Sequence, residues 1–108
     1  MNTTTTNNTY SVTVTDNAEY WFKNGRLHRE NGPAIQFKDG DNRWYKNGKL
    51  HRENGPAVDF PKGYCKKWYV NGTKLTKSQF KSWKRAKNYT NKVIELGSKI
   101  QKLVEVSA

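Results

Sequence analysis

The chain has few of the residues that build enzymes, metal centres or disulfide scaffolds. Its 108 residues include one cysteine, Cys65, which excludes an internal disulfide and suits a reducing compartment. His28 and His51 are the only histidines, and with a lone cysteine and scattered carboxylates they lack the paired short spacings of a zinc site. No phosphate-cradling or dinucleotide-binding glycine pattern occurs, so no metal and no cofactor is expected. No apolar run approaches the ~18 residues of a membrane span, the N-terminus has no apolar leader core, and mean hydropathy is −1.07. The expectation is a cytoplasmic protein with no membrane partner. The most telling shortage is of acid. No carboxylate lies between Asp59 and Glu95, a stretch that holds ten lysines and arginines. Residues 1–60 carry eight basic and seven acidic side chains, whereas residues 61–108 carry twelve and two. Nearly all of the net charge of +11 therefore sits in the second part, and such asymmetry points to a polyanionic partner, or else to a face kept soluble by lysine.

Against these shortages stand aromatics and a repeat. Four Trp, six Tyr and four Phe can bury large areas in an otherwise polar sheet. His28-Arg29-Glu30-Asn31-Gly32-Pro33-Ala34 recurs unchanged as His51-Arg52-Glu53-Asn54-Gly55-Pro56-Ala57, and a third, truncated copy begins at Trp68-Tyr69-Val70-Asn71-Gly72. A fixed period of this length marks units too small to bury their own apolar faces. Asn24-Gly25, Asn47-Gly48 and Asn71-Gly72 each lie between short β-compatible runs, and Asn-Gly is the favoured pair for a type I′ hairpin turn. Asp39-Gly40 and Lys62-Gly63 supply turns on the opposite side, and the Gly-Pro steps break the strand that follows each hairpin. The prediction is a mainly β protein with C-terminal α structure: an antiparallel meander of about eight short strands over residues 10–75. The Thr/Asn-rich residues 1–9 are predicted to be disordered, and residues 76–106 to form a basic helical region.

Thr76-Lys77-Ser78-Gln79 has the form of a capping box, which predicts a helix from Thr76 to about Lys87 with Phe80 and Trp83 on one face. A second helical pattern follows in Val93, Leu96, Ile100 and Leu103, interrupted by the poor helix former Gly97. That apolar stripe is read either as a cap over the last repeat or as the seam of a homodimer through residues 93–104, with the cap preferred because open sheets need covered ends.

Trp21-Phe22-Lys23-Asn24-Gly25-Arg26-Leu27-His28 with Gly32, followed by Asp39-Gly40 and Trp44-Tyr45-Lys46-Asn47-Gly48, resembles the MORN repeat. The resemblance extends over residues 20–83 and implies a meander of hairpin repeats with one or two capping helices, and no catalytic residue set. The Gly-Pro-Ala variant is similar to repeat proteins of bacteriophages and giant viruses. That similarity implies a viral inhibitor of a host defence system, such as a CRISPR or other nuclease complex.

The residues themselves argue against catalysis. Both His-Arg-Glu copies occupy the same repeat position, whereas an active site needs one asymmetric constellation. His28, Arg29, Glu30, His51, Arg52 and Glu53 are therefore assigned to a structural ladder between units. The candidate binding surface is Lys62, Lys66, Lys67, Lys74, Lys77, Lys81, Lys84, Arg85 and Lys87, interleaved with Tyr64 and Tyr69. Cations meet phosphates and exposed aromatic faces stack on bases, and the dominance of lysine over arginine argues against base-specific readout. The expected partner is nucleic acid or a host nucleoprotein. The alternative is a protein-docking module, with Arg29 and Arg52 among its anchors, or a protein that sequesters a small phosphorylated signal.

Overall fold

All three Asn-Gly pairs adopt the conformation that a type I′ turn demands. In a computed structural model of the chain, Asn24, Asn47 and Asn71 have φ of 50°, 51° and 48°, and Gly25, Gly48 and Gly72 have φ of 75°, 81° and 82°. The structure describes residues 3–7, 10–62 and 65–107, with side chains over 10–62 and 65–104. The turn expected at Lys62-Gly63 and the candidate Tyr64 thus fall partly or wholly outside the described residues.

Eleven strands and one helix are described: β1 (Thr3–Asn7), β2 (Tyr10–Val14), β3 (Ala18–Lys23), β4 (Arg26–Leu27), β5 (Ile35–Phe37), β6 (Asn42–Arg43), β7 (Tyr45–Lys46), β8 (Lys49–Leu50), β9 (Val58–Phe60), β10 (Cys65–Val70), β11 (Thr73–Leu75) and α1 (Lys77–Ser107). The main sheet runs β1-β2-β3-β5-β6-β9-β10-β11 with β4 beside β3, and β7-β8 form a separate hairpin. All described pairings are antiparallel, so the architecture is mainly β with a C-terminal helix. The chain forms two compact units, Met1–Lys77 and Ser78–Ala108.

Each repeat divides its long strand between two partners. The start of β3 pairs with β5 (Tyr20 opposite Ile35), while its end pairs with β4 across the Asn-Gly turn (Phe22 opposite Leu27). In the second unit the same division interrupts the strand at Trp44: Arg43 lies opposite Ile35 and Val58, and Tyr45 opposite Leu50. Backbone bonds from Trp21 N to Ala34 O and from Trp44 N to Ala57 O, both 2.7 Å, pin the two sheet-to-hairpin crossings. Over residues 10–75 the described strands therefore number ten, β2 to β11, where a simple meander gives about eight. The period also shifts. Asn-Gly turns at 24, 47 and 71 are 23 and then 24 residues apart, and the unit with the extra residue carries the uninterrupted β10.

Two expectations are corrected. Residues 3–7 are not disordered: they form β1, paired with β2 from Thr3 opposite Val14 to Asn7 opposite Tyr10. Four of these five residues are threonine, a β-branched residue that favours a pleated strand, and low complexity masked that preference. Two helical stretches are likewise replaced by one continuous helix of 31 residues. Nothing between Asn88 and Lys92 is a helix breaker, and a single glycine costs only about 1 kcal/mol.

The buried apolar side chains of the sheet unit are small. Ala34 and Ala57 are 0% exposed, with Ala18, Ile35 and Val58 also buried. Two histidines complete the interior, His28 at 3% and His51 at 8% exposure. Half-buried aromatics, among them Tyr20, Trp21, Phe37, Trp44 and Trp68, add apolar area on the faces of the sheet.

Candidate polyanion-binding surface

The duplicated His-Arg-Glu segment faces inward and sideways, toward the next repeat. Nδ1 of His28 accepts the backbone N–H of Asn47 at 3.0 Å, and Nδ1 of His51 accepts that of Asn71 at 3.0 Å. Each histidine thus fixes the Asn-Gly turn of the following unit. The neighbouring bonds repeat too: Gly48 N donates to Leu27 O and Gly72 N to Leu50 O, both at 2.8 Å. Arg29 N donates to Tyr45 O at 3.3 Å and Arg52 N to Tyr69 O at 3.2 Å. Because Nδ1 of His28 is an acceptor, Nε2 carries the proton, and it donates to Glu30 Oε1 at 2.7 Å. Lys46 lies between the two units' carboxylates, 3.7 Å from Glu30 and 3.8 Å from Glu53.

The hydrogen bond from His28 is the main reason that Glu30 ionises below the usual carboxylate range; partial burial opposes it, and Lys46 and Lys23 assist it. A carboxylate with a lowered folded-state pKa stabilises the fold above its unfolded pKa and loses that contribution as pH falls through the folded value. Glu30→Gln should therefore flatten the decline of stability on the acid side of pH 5, as read by denaturant titrations at several pH values.

Arg29 and Arg52 are not outward anchors. Each guanidinium carbon sits 3.9 Å from a tryptophan ring centroid, Arg29 over Trp21 and Arg52 over Trp44. Nη1 of each then donates to a proline carbonyl, Arg29 to Pro33 at 3.4 Å and Arg52 to Pro56 at 3.2 Å. The opposite side of each guanidinium is closed by glycine. A Cβ at Gly32 would stand 2.9 Å from Arg29 Cζ, and one at Gly55 would stand 3.1 Å from Arg52 Cζ. Arg52 is further engaged by Asp59 at 3.8 Å; burial lowers its pKa from the ordinary arginine value and Asp59 works against that. The repeated Gly-Pro-Ala is thus the outer wall of a Trp-Arg-Gly sandwich. Gly32→Ala should push the guanidinium off Trp21 and cost about 1–2 kcal/mol, with Gly55→Ala costing less; thermal melts of the two variants would check the order.

The basic residues lie in two groups, one in each unit. In the sheet unit, Lys62 follows β9, Lys66 and Lys67 lie on β10, and Lys74 lies on β11 opposite the half-buried Tyr69. All four lysines are exposed. Lys66 faces Asp59 in register, and Lys77, the first residue of α1, places its ammonium 5.9 Å from the Trp68 ring centroid. In the helix unit, Lys81, Arg85 and Lys87 are exposed and Lys84 is half-buried. Lys81, Lys84, Arg85 and Asn88 share a face with Phe80 along a shallow depression. Phe80, 6% exposed, stacks on Trp83 with centroids 5.8 Å apart, and Lys87 sits 5.1 Å over the Trp83 ring.

Three features of this basic segment follow. Trp83 has Phe80 on it and Lys87 above it, which leaves that ring little free face. The segment's charge is of one sign, since no carboxylate exists in the sequence from residue 60 to 94, with Asp59 opposite Lys66 at its border. Its cations also stand where the helix least tolerates them. Lys77 and Lys81 occupy the first turns of α1, at the positive end of the helix dipole, and Lys77/Lys81 and Lys81/Arg85 are like-charged pairs at i,i+4. The first turn contains no acidic residue.

The described residues contain no group of three or more His, Cys, Asp or Glu side chains placed to hold a metal. No helix of the structure is long and apolar enough to cross a membrane. Comparison with protein-family models, curated proteins and solved structures gives no match. The Trp-Arg-Gly sandwich was missed from the sequence although a signal exists. Trp21 and Arg29, like Trp44 and Arg52, are eight residues apart, with Gly32 and Gly55 three further on, and the third unit has lost the arginine and the glycine together.

Proposed function

We propose that this is a non-enzymatic binding protein that engages a polyanion, nucleic acid or a nucleoprotein, through the lysine-rich segment of residues 62–87. The observation that carries this reading is the clustering of Lys77, Lys81, Lys84, Arg85 and Lys87 on the first turns of α1. Such placement works against the helix, so it calls for a use outside the fold, and phosphate is the complementary chemistry. The repeat sheet serves as scaffold, because its histidines, arginines and glutamates hold adjacent units together. The viral setting implied by the MORN-like resemblance makes a host defence nucleoprotein a fitting target, and recognition would follow charge and shape in preference to sequence.

Titration of labelled duplex and single-stranded DNA and RNA should show binding that weakens by roughly two orders of magnitude between ~50 and ~200 mM salt, as expected when about four phosphates are neutralised. Duplexes of unrelated sequence should bind alike. Absence of binding at the lower salt, or affinity that salt leaves unchanged, would reject the reading and favour docking onto a protein surface.

A further inference from the structure

The second half of α1 carries an unbroken heptad seam. Ala86, Val93 and Ile100 fall at one core position, a, and Tyr89, Leu96 and Leu103 at the other, d, with alternating spacings of three and four. Tyr89, Val93, Leu96, Ile100 and Leu103 are between 48% and 71% exposed. β-branched residues at a with leucine at d are the combination that favours two parallel strands over three or four. Charge supports the same choice. Arg85, Lys92 and Lys99 all occupy position g, while position e holds Thr90, Gly97 and Val104. In a parallel pair each g cation faces an uncharged e residue, and the aliphatic stem of Lys99 can lie along Val104 of the other copy. In an antiparallel pair g faces g, which sets Lys92 against Lys99.

We propose that the occupant of this seam is a second copy of the chain, in a parallel two-stranded coiled coil over residues 86–104. The three heptads remove on the order of 900 Å² from water, close to the ~1,000 Å² that separates weak from stable interfaces, so the dimer is a weak, reversible one. From residue 77 to 102 each helix carries eight cations and one carboxylate, and like-charge repulsion opposes pairing. Added salt screens that repulsion, so the dimer tightens with salt, the reverse of polyanion binding. The seam does not depend on the polyanion reading, since it forms in the protein alone.

Sedimentation equilibrium of the full chain over ~5–300 μM, at ~50 and ~500 mM salt, should show a monomer–dimer equilibrium several-fold tighter at the higher salt. Leu96→Glu should abolish the dimer while far-UV circular dichroism and thermal melting of the sheet stay unchanged. With Cys65→Ser as background, Tyr89→Cys should form an intermolecular disulfide under mild oxidation, because only the parallel register brings this position against itself. A monomer at every concentration and salt, a trimer, a dimer that survives Leu96→Glu, or a dimer that Tyr89→Cys fails to cross-link would each overturn the proposal.

Discussion

His28→Ala should destabilise the sheet by roughly 2–4 kcal/mol, a large part of the ~5–10 kcal/mol available to a domain of this size. The imidazole is nearly fully buried and its Nδ1 accepts the backbone N–H of Asn47. Deleting the ring leaves that donor unpaired next to the turn it holds, which costs ~1–3 kcal/mol. It also removes a packed ring 6.4 Å from Tyr10 and the hydrogen bond to the Glu30 carboxylate. A fall in melting temperature of about 10–25 °C is expected. His28→Asn supplies a discriminating control. The asparagine carbonyl oxygen lies near the position of Nδ1 and can accept the same N–H, so this variant should recover about 1–2 kcal/mol of the loss. His51→Ala should behave alike but more mildly, since Glu53 stands 4.0 Å from Nε2. If the alanine variants melt like the parent protein while losing their ligand, the histidines belong to a binding site and the ladder assignment is wrong.

The same residues show where sequence reading succeeds and where physics hides from it. The hairpin turns were legible because Asn-Gly is nearly the only pair that accepts positive φ at both positions, a local constraint with a local signature. Repetition of His-Arg-Glu at one repeat position also pointed to contacts between units, and both histidines make them. The partners of those residues were not legible. His28 meets a turn 19 residues away, and Arg29 finds its ring on Trp21 across the hairpin; period-two alternation assigns a face and cannot assign such a partner. The division of each long strand between sheet and hairpin was hidden for the same reason, since a strand that changes partner at Trp44 keeps an ordinary strand composition. In α1 the expected break fell between Lys87 and Val93, where the polar run Asn88-Tyr89-Thr90-Asn91-Lys92 hides the continuity of the helix. The a/d pattern stays in register from Ala86 to Leu103, and that register is readable once the pattern is followed through Tyr89.

Replacing Lys81, Lys84 and Arg85 together by glutamine should lower polyanion affinity about 100-fold or more at ~100 mM salt and reduce the slope of log K against log salt by about 2–3. The same change should leave the helix as stable as before, or make it more so. Lys81 and Arg85 are a like-charged pair one turn apart, and both follow Lys77 near the positive end of the dipole, so neutralising them relieves repulsion of a few tenths of a kcal/mol per pair. Gain of helix stability with loss of binding is the signature of residues kept for a partner at the expense of the fold. A solvated face with no partner predicts the first effect without the second. The comparison variant neutralises Lys66, Lys67 and Lys74 in the sheet unit; binding lost there and kept in the helix variant would move the site from α1 to β10 and β11. None of the three helix positions lies at a or d, so dimerisation should persist in the glutamine variant and become less dependent on salt, as three cations leave each copy. Binding and self-association therefore respond to one substitution in opposite directions, and measuring both on the same protein separates a basic surface from a basic dimer seam.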